Sequence, residues 1–496
     1  MDNMRATKVI ATDDIFVLID KQVKKIIRIK NDWKIIFTDG GEILVDSSVS
    51  LATIVIAVFV NANLKGIPNG FGGLLTLLER NDILSIVINC DKQIIQINVT
   101  LTDGSKQCLS LCRNQQVLSE SYSLSEFFNE IGPNIQRFAT GRSLAPLPRQ
   151  LFIERVHNIC QMIRNGATLD EISLMPPLLI TIGITDLCNS KCEMCFRVRG
   201  GYIPGKFIFP DNILRNFVLD MATMGVKGLR FCGEGENMLH PKFLETLMLA
   251  KVVGLRTFII TNGTMLESSF HVVARCTDYL RVSFNALTPE SYCRVHGISN
   301  KETYFQVLNG LKNVRIEKNA LNNQLPIISM SCVIIKDNID EALDGCLVQD
   351  LQNVCLDFIV LKSDRLWDMT PSDKGKYFEI IKHFQDASIR VTDYSGYSSP
   401  ITIATRDWEE KLRLGCAVRF MRANVDRFDV HSCVTRHDIY GVITQQRLPM
   451  IWSSNQRIVL QRQRAKSKLA NCDRCFWGDF HRIMNFLFEQ EMTKSK

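Results

Sequence analysis

The chain has no long apolar run, no basic start followed by an apolar core, and no marked excess of either charge. Its longest apolar stretch, Leu51 to Val60, is bounded by Ser50 and Asn61 and falls well short of the roughly 20 residues a helix needs to cross a bilayer. The opening MDNMRATKVIATDDIF does not read as a signal peptide. A formal charge of +7 over 496 residues permits an acidic partner without demanding one, which argues against nucleic acid as the ligand. The first 140 residues contain neither clustered metal ligands nor a phosphate-binding glycine loop. The expectation is a soluble, cytoplasmic protein with no membrane partner. A disulfide framework is also disfavoured, because the 17 cysteines are odd in number and no secretion signal accompanies them. Clustered thiols in such a chain point to metal.

An apolar fraction of 46% and a charged fraction of 22% are ordinary for globular proteins, and the length suits two or three domains. In residues 1–140, Trp33 to Phe37 and Glu42 to Val45 flank Asp39-Gly40-Gly41, and Ile94 to Thr100 and Gln107 to Leu111 flank Asp103-Gly104. Two β-hairpins are predicted there, with a helical Gly73 to Arg80 between them, giving an α+β accessory domain. Residues 141–175 read as linker and helix. Thr140 to Arg149 carries a glycine and two prolines, and Gln150 to Arg164 has a helical stripe of Leu151, Phe152, Val156, Ile159, Cys160 and Ile163 before Gly166.

Residues 176–392 alternate strands and helices. Strands are predicted at Leu178–Ile184, Leu229–Cys232, Thr257–Ile260, Tyr279–Phe284, Ile327–Ile335 and Cys355–Leu361, with helices such as Asp211–Met224 between them. Six such units imply a parallel α/β sheet with helices outside, and sites in these architectures lie at the C-terminal ends of the strands.

Immediately after the first predicted strand comes LCNSKCEMCF, with Cys188, Cys192 and Cys195 in C-x3-C-x2-C spacing. A cubane of four irons normally takes four thiolates, so three leave one iron open. Zinc also takes clustered thiolates and is the alternative from spacing alone, though it usually wants four ligands. The segment resembles the cluster loop of the radical S-adenosylmethionine (SAM) family. That resemblance implies a partial (β/α)6 barrel and a 4Fe-4S cluster whose open iron binds SAM. One electron then splits the sulfonium to give a 5′-deoxyadenosyl radical that takes a hydrogen atom from substrate. Three further strand ends fit in order. Gly233, Glu234, Gly235 and Glu236 resemble the glycine–glutamate motif that receives the SAM amino group, with Asn237 where proline is usual. Asn262 ends the third strand, and Ser283 and Asn285 end the fourth, where the family contacts the ribose and carboxylate of SAM. Met194 falls where the family places an apolar residue near adenine, or else it fills core. Val333 or Ile334 could offer backbone groups to adenine.

In residues 393–496, after a linker at Asp393 to Pro400, stand Cys416, Cys433, Cys472 and Cys475. With Ile451-Trp452-Ser453 and Arg457 before the closing NCDRC, this region resembles the SPASM or twitch extension of radical SAM maturases. The likeness implies one auxiliary 4Fe-4S cluster, although Phe428 replaces a usual glycine, and the same four thiolates also suit zinc. The resemblance favours a peptide or protein substrate and an electron donor such as flavodoxin or ferredoxin. A small molecule such as an amino sugar, oxidised or epimerised, is the alternative substrate, and a non-catalytic iron–sulfur or zinc scaffold the alternative class. The remaining cysteines (Cys90, Cys108, Cys112, Cys160, Cys232, Cys276, Cys293, Cys332, Cys346 and Cys355) are expected to pack in the core. Arg457, Arg462, Arg464, Lys466 and Lys468 are expected on a solvated face, and Gly478 to Glu489 as a closing helix.

Overall fold

The computed structural model describes residues 8–9, 23–39, 41–46, 49–61, 71–90, 94–112, 149–195, 207–233, 235–336, 338–341, 346–363, 370–393, 414, 416, 418–433, 436–466 and 488. Among them are two sheets. The first has seven strands, β1 (Lys8–Val9), β2 (Val23–Ile29), β3 (Asp32–Phe37), β4 (Glu42–Val45), β5 (Ile83–Cys90), β6 (Ile94–Leu101) and β7 (Lys106–Cys112), in the order β1-β4-β3-β2-β5-β6-β7. Both predicted hairpins are present, as β3–β4 and β6–β7. Helices α1 (Leu51–Asn61) and α2 (Phe71–Leu78) lie between them in the chain. The sequence of α1 has no polar stripe because the helix has no wet side. Leu51 through Val58 and Phe59 are all buried, and α1 packs on a helix of the second sheet, α6 below.

The second sheet begins after α3 (Arg149–Arg164) and the short α4 (Leu169–Ser173). Its parallel strands are β8 (Leu179–Ile182), β9 (Gly228–Phe231), β10 (Arg256–Thr261), β11 (Tyr279–Ser283), β12 (Ile327–Ile334), β13 (Phe358–Ser363) and β14 (Val391–Asp393). The crossovers carry α5 (Asp211–Met224), α6 (Phe243–Val252), α7 (Phe270–Cys276), α8 (Pro289–His296), α9 (Glu302–Ala320), α10 (Cys346–Val354) and α11 (Pro371–Asp386). Sequential strands sit side by side in the order β8 to β14, so the sheet is an open, unclosed barrel wall. β8 and β9 are buried along their whole length, as a parallel strand covered on both faces must be.

All six predicted strands are found, with three corrections. The sixth starts at Phe358, because Cys355 takes a left-handed φ of 55° that ends α10. Asp393 belongs to a seventh strand rather than to a linker, while 394–400 lie outside the described residues. Of the cysteines expected in the core, Cys160, Cys276 and Cys332 are buried, but Cys108 and Cys355 are exposed, and Cys232 and Cys293 are half-buried. The side chains of Cys90, Cys112 and Cys346 lie outside the described set.

The C-terminal part extends the barrel sheet. After α12 (Val418–Met421), β15 (Arg422–Asp426) pairs in parallel with β8, and β16 (Asp429–Cys433) and β17 (Arg436–Val442) continue antiparallel from it. Phe428, in the β15–β16 turn, rests edge-on against Phe207 and Phe209 at centroid distances of 4.8 and 5.3 Å, which gives the bulky residue its place. α13 (Leu448–Trp452) and α14 (Asn455–Lys466) close the described chain. Arg457 is not on a solvated face. It is fully buried, its guanidinium 3.7 Å from the Trp452 ring centroid, donating to Ser173 O (2.6 Å) and Trp452 O (2.9 Å). Burial pulls its pKa down to about 10. Arg462 pairs with Asp170, whereas the side chains of Arg464, Lys466 and Lys468 and the predicted closing helix, apart from Phe488, lie outside the described residues.

A carboxylate joins this extension to the barrel. Asp220 on α5, buried, accepts from Arg447 Nε (2.8 Å) and Nη2 (2.5 Å) and from Leu448 N (3.2 Å). Asp220→Ala is expected to remove about 2 kcal/mol of stability, read as a lower denaturant midpoint.

Candidate active site

The loop that leaves β8 is fixed by its neighbours before it reaches the first cysteine. Asn237 Oδ1 accepts from Ile184 N (2.8 Å), so the residue standing where proline is usual ties the loop to the end of β9. Asp186 exchanges two hydrogen bonds with Phe207, through its own N–H (3.1 Å) and its carboxylate (2.8 Å). Glu236 N donates to Leu187 O at 2.7 Å. This approach requires glycine at 235: a Cβ there would stand 2.3 Å from Leu187 O and 2.6 Å from Asp186 C. Gly233 has φ 127°. Beyond Cys188 the loop rests on the end of α8, with Lys191 N on His296 O (2.7 Å) and Glu193 N on Val295 O (3.3 Å). Gly297, which caps α8 with φ 60°, leaves room for it, since a Cβ would lie 2.8 Å from Lys191 O.

Cys188, Cys192 and Cys195 therefore converge at the C-terminal ends of β8 to β11, with Cys195 N donating to Cys192 O (3.0 Å) in a turn. Burial, then the neighbouring Cys188 and Cys195, push the Cys192 thiol up to about 12. Desolvation foremost, with Glu236 and Cys195 adding to it, also raises Cys188. The thiols sense one another, yet among the described residues no three His, Cys, Asp or Glu converge as ligands of a single ion. Three thiols on one loop are a donor set that suits a 4Fe-4S cluster with one iron left open, and they are one short of the four ligands a structural zinc takes.

Around this loop the strand ends form a continuous network. Glu236, almost fully buried, takes Met238 N (3.1 Å) and Thr261 Oγ1 (2.9 Å) on Oε1 and Asn262 N (2.6 Å) on Oε2. A carboxylate has about four acceptor positions, so three donors leave about one for a further partner. Burial raises the Glu236 pKa, opposed by those three hydrogen bonds. Asn262 is turned to the cysteine loop, its Nδ2 donating to Asn189 Oδ1 (2.7 Å) and Ser190 Oγ (3.3 Å). Ser283 ends β11 half-buried, and Asn285 follows with a left-handed φ of 52°, its N–H on Ser331 O (3.2 Å). Met194 is half-buried in the loop. Val333 O already accepts from Asn338 Nδ2 at 3.0 Å. Glu234 lies outside the described residues.

Sequence reasoning passed over His296. Its Nδ1 lies 3.2 Å from Cys192 Sγ and its Nε2 2.7 Å from Phe284 O. The only signal was its place in TPESYCRVHG, directly before a helix-ending glycine.

Of the second cysteine set, Cys416 is half-buried just before α12, and Cys433 ends β16 with its side chain outside the described set. Cys472 and Cys475 lie outside the described residues, so the four are not seen together.

An open parallel sheet thus carries three thiols of one loop at the C-terminal ends of its strands. Residues 182–344, which span the cysteine loop and strand ends, match the family model of the Radical SAM superfamily. It is 30% identical over 113 residues to the S-adenosylmethionine-dependent nucleotide dehydratase of Lacinutrix mariniflava, covering 22% of this chain and 23% of that protein. It is 26% identical over 197 residues to the tungsten-containing aldehyde ferredoxin oxidoreductase cofactor-modifying protein of Pyrococcus furiosus, covering 38% and 51%. The chain thus spans between about a quarter and a half of the length of these curated relatives. Among solved structures it is similar to Streptococcus suis SuiB bound to precursor peptide SuiA, with TM-score 0.45, 12% identity, and coverage of 92% and 90%. No helix among the described residues is long and apolar enough to cross a membrane.

Proposed function

We propose that the protein reductively cleaves SAM at a 4Fe-4S cluster held by Cys188, Cys192 and Cys195 and abstracts a hydrogen atom from a peptide or protein. The observation that carries the reading is the convergence of the three thiols on a loop clamped to the ends of β9, β10 and α8. When bound, the cluster supplies an open iron for SAM and the electron that splits its sulfonium. The chain's own residues bind and orient. Glu236 offers its remaining acceptor position to the SAM amino group, Ser283 and Asn285 face its carboxylate and ribose, and Met194 lies beside its adenine. Gly233 and Gly235 keep the β9 end close to the loop, and Asn262 holds Asn189 and Ser190 in place.

The SPASM or twitch reading of the C-terminal part belongs here too. Cys416, Cys433, Cys472 and Cys475 would hold an auxiliary 4Fe-4S cluster that passes an electron or shapes the pocket, with flavodoxin or ferredoxin as the electron source. The peptide preference is supported by the position of the N-terminal sheet. A cavity of about 600 Å³ separates it from the first turns of α5 and α6, which by connectivity lie at the mouth end of the barrel. Trp33, Leu75 and Leu78 give this cavity an apolar side, and its charged lining includes the pairs Arg215–Glu79 and Lys242–Glu245.

Deuterium transfer tests the reading. Anaerobically reconstituted, reduced protein is expected to move deuterium from a labelled peptide substrate into 5′-deoxyadenosine. Label arriving from amino sugars and never from peptides would reverse the substrate assignment. Reduced, cluster-loaded protein that leaves SAM intact would favour the non-catalytic scaffold.

A further inference from the structure

We infer that Asn189, Asn262 and Thr264 form a closed hydrogen-bond ring that sets the position of the cysteine loop, with Thr264 and Asn189 as positioning residues of the site. The inference deepens the proposed function and rests on the assignment of Cys188, Cys192 and Cys195 as cluster ligands.

The ring begins at a turn. β10 ends at Thr261, and Gly263, with a left-handed φ of 85°, bends the chain that follows. The bend brings Thr264 N to Asn262 Oδ1, which accepts from it at 3.1 Å. A backbone N–H can only donate, so this one contact fixes which end of the Asn262 amide is oxygen and which is nitrogen. Every other proton in the ring then follows. Asn262 Nδ2 donates to Asn189 Oδ1 (2.7 Å), Asn189 Nδ2 donates to Thr264 Oγ1 (2.8 Å), and Thr264 Oγ1 donates back to Asn262 Oδ1 (2.8 Å). Each member gives one hydrogen bond and takes one within the ring, an arrangement in which neighbouring bonds polarise and strengthen one another. None of the three side chains ionises at neutral pH, so the proton positions do not depend on the state of the cysteines.

The Asn262 amide has no capacity left for a ligand. An amide carries two N–H groups and two acceptor positions. Its second N–H goes to Ser190 Oγ (3.3 Å), and its oxygen takes both the N–H and the hydroxyl of Thr264. The side chain therefore acts on the site through the loop. Asn189 directly follows Cys188, and Ser190 comes next, so both bonds that Asn262 donates fall between the first two cysteines. From its backbone, Asn262 N donates to Glu236 Oε2 at 2.6 Å. One residue thus fixes the stretch between Cys188 and Cys192 relative to the carboxylate proposed to receive the SAM amino group. Partners of this kind orient ligands in metal sites generally.

Burial decides what a break in the ring costs. Asn262 and Ser190 are buried, Thr264 is half-buried and Asn189 is exposed. Water can take the place of a lost partner at the exposed side, so the effect falls on the local order of the loop more than on global stability. Among the described residues, the Thr264 hydroxyl is bonded only to Asn189 and Asn262. Removing that hydroxyl therefore opens the ring and disturbs no other hydrogen bond.

The test uses the full chain with Thr264→Val, Thr264→Ser, Asn189→Leu and the double variant that combines Thr264→Val with Asn189→Leu. Two quantities are read. The first is hydrogen–deuterium exchange across Cys188 to Cys195 in metal-free protein, and the second is the rate at which a ferrous chelator removes, from anaerobically reconstituted protein, the iron that Cys192→Ala lacks. Thr264→Val keeps the shape of the side chain without its hydroxyl, and is expected to exchange about fivefold faster in the loop and to lose iron about tenfold faster. Thr264→Ser keeps the hydroxyl and is expected to stay within roughly threefold of wild type on both measures. Asn189→Leu should match Thr264→Val, and the double variant should be no faster than the quicker single one, because both open the same ring. Wild-type exchange in Thr264→Val, a Ser variant as fast as the Val variant, or a double variant whose effects multiply overturns the ring. Should Thr264→Val fail to fold by circular dichroism, Asn189→Leu, at its exposed position, carries the comparison, and wild-type rates in it overturn the ring. Absence of a cubane from wild-type protein overturns the cluster assignment and the role given to the ring together, whereas wild-type iron loss in cluster-loaded Thr264→Val overturns that role alone.

Discussion

Cys192→Ala is expected to reduce SAM-dependent formation of 5′-deoxyadenosine by more than roughly 100-fold and to leave the loop site without its cubane. The size follows from ligand arithmetic. Loss of a partner behind a ligand already costs about 10–100-fold in metal affinity, and removal of one ligand of three costs more. The fold should survive, because Cys192 is half-buried and the loop backbone keeps its bonds from Lys191, Glu193 and Glu236. Iron and sulfide analysis beside circular dichroism separates the two effects. In the metal-free chain the Cys192 thiol, pushed up to about 12, is protonated at neutral pH, so cluster assembly must displace that proton. Residual iron from a C-terminal cluster would persist in the variant and must be subtracted. A Cys192→Ala protein that still cleaves SAM at the wild-type rate would remove the loop from the chemistry.

Gly235→Ala is expected to have the largest effect of any single methyl group on the site. The added Cβ would meet Leu187 O at 2.3 Å and Asp186 C at 2.6 Å, both backbone atoms that no rotamer change can move aside. The crowded backbone belongs to the cysteine loop itself, one and two residues before Cys188. We expect a cost of about 3 kcal/mol, the upper part of the overpacking range, and a loop displaced from Glu236 N. Iron bound per chain should fall sharply, with a thermal midpoint several degrees lower. Gly375→Ala is the matched control, since a Cβ there meets nothing within 4 Å. Equal iron content in both variants would show that the close approach does not shape the site.

Much of this site was legible because its chemistry and its topology point the same way. Cys188, Cys192 and Cys195 have a ligand spacing, and they follow the first strand of an alternating pattern whose strands are buried on both faces. The strand count was short by one because Val391–Asp393 is only three residues and lies beside a Tyr/Ser/Gly stretch. Arg457 shows a different limit. A basic residue in a basic run reads as solvated, and only the packing of Trp452 against it, with the carbonyls of Ser173 and Trp452 at its end, reveals a buried cation. His296 was illegible for a third reason. Its partner Cys192 is 104 residues away, and no local pattern marks a histidine whose contact depends on a loop folding back over a helix end. Glu236 was recognised as a carboxylate at a strand end, but its service to Met238, Thr261 and Asn262 depends on strand register, which composition does not encode.

The most direct measurement is the electron paramagnetic resonance spectrum of full-length protein prepared and reduced without air, recorded before and after SAM is added. A cubane signal at the loop, absent from Cys192→Ala and altered by SAM, is the expected result. A wild-type protein with no such signal, or with one that SAM leaves unchanged, would contradict the open-iron site on which the proposed function stands.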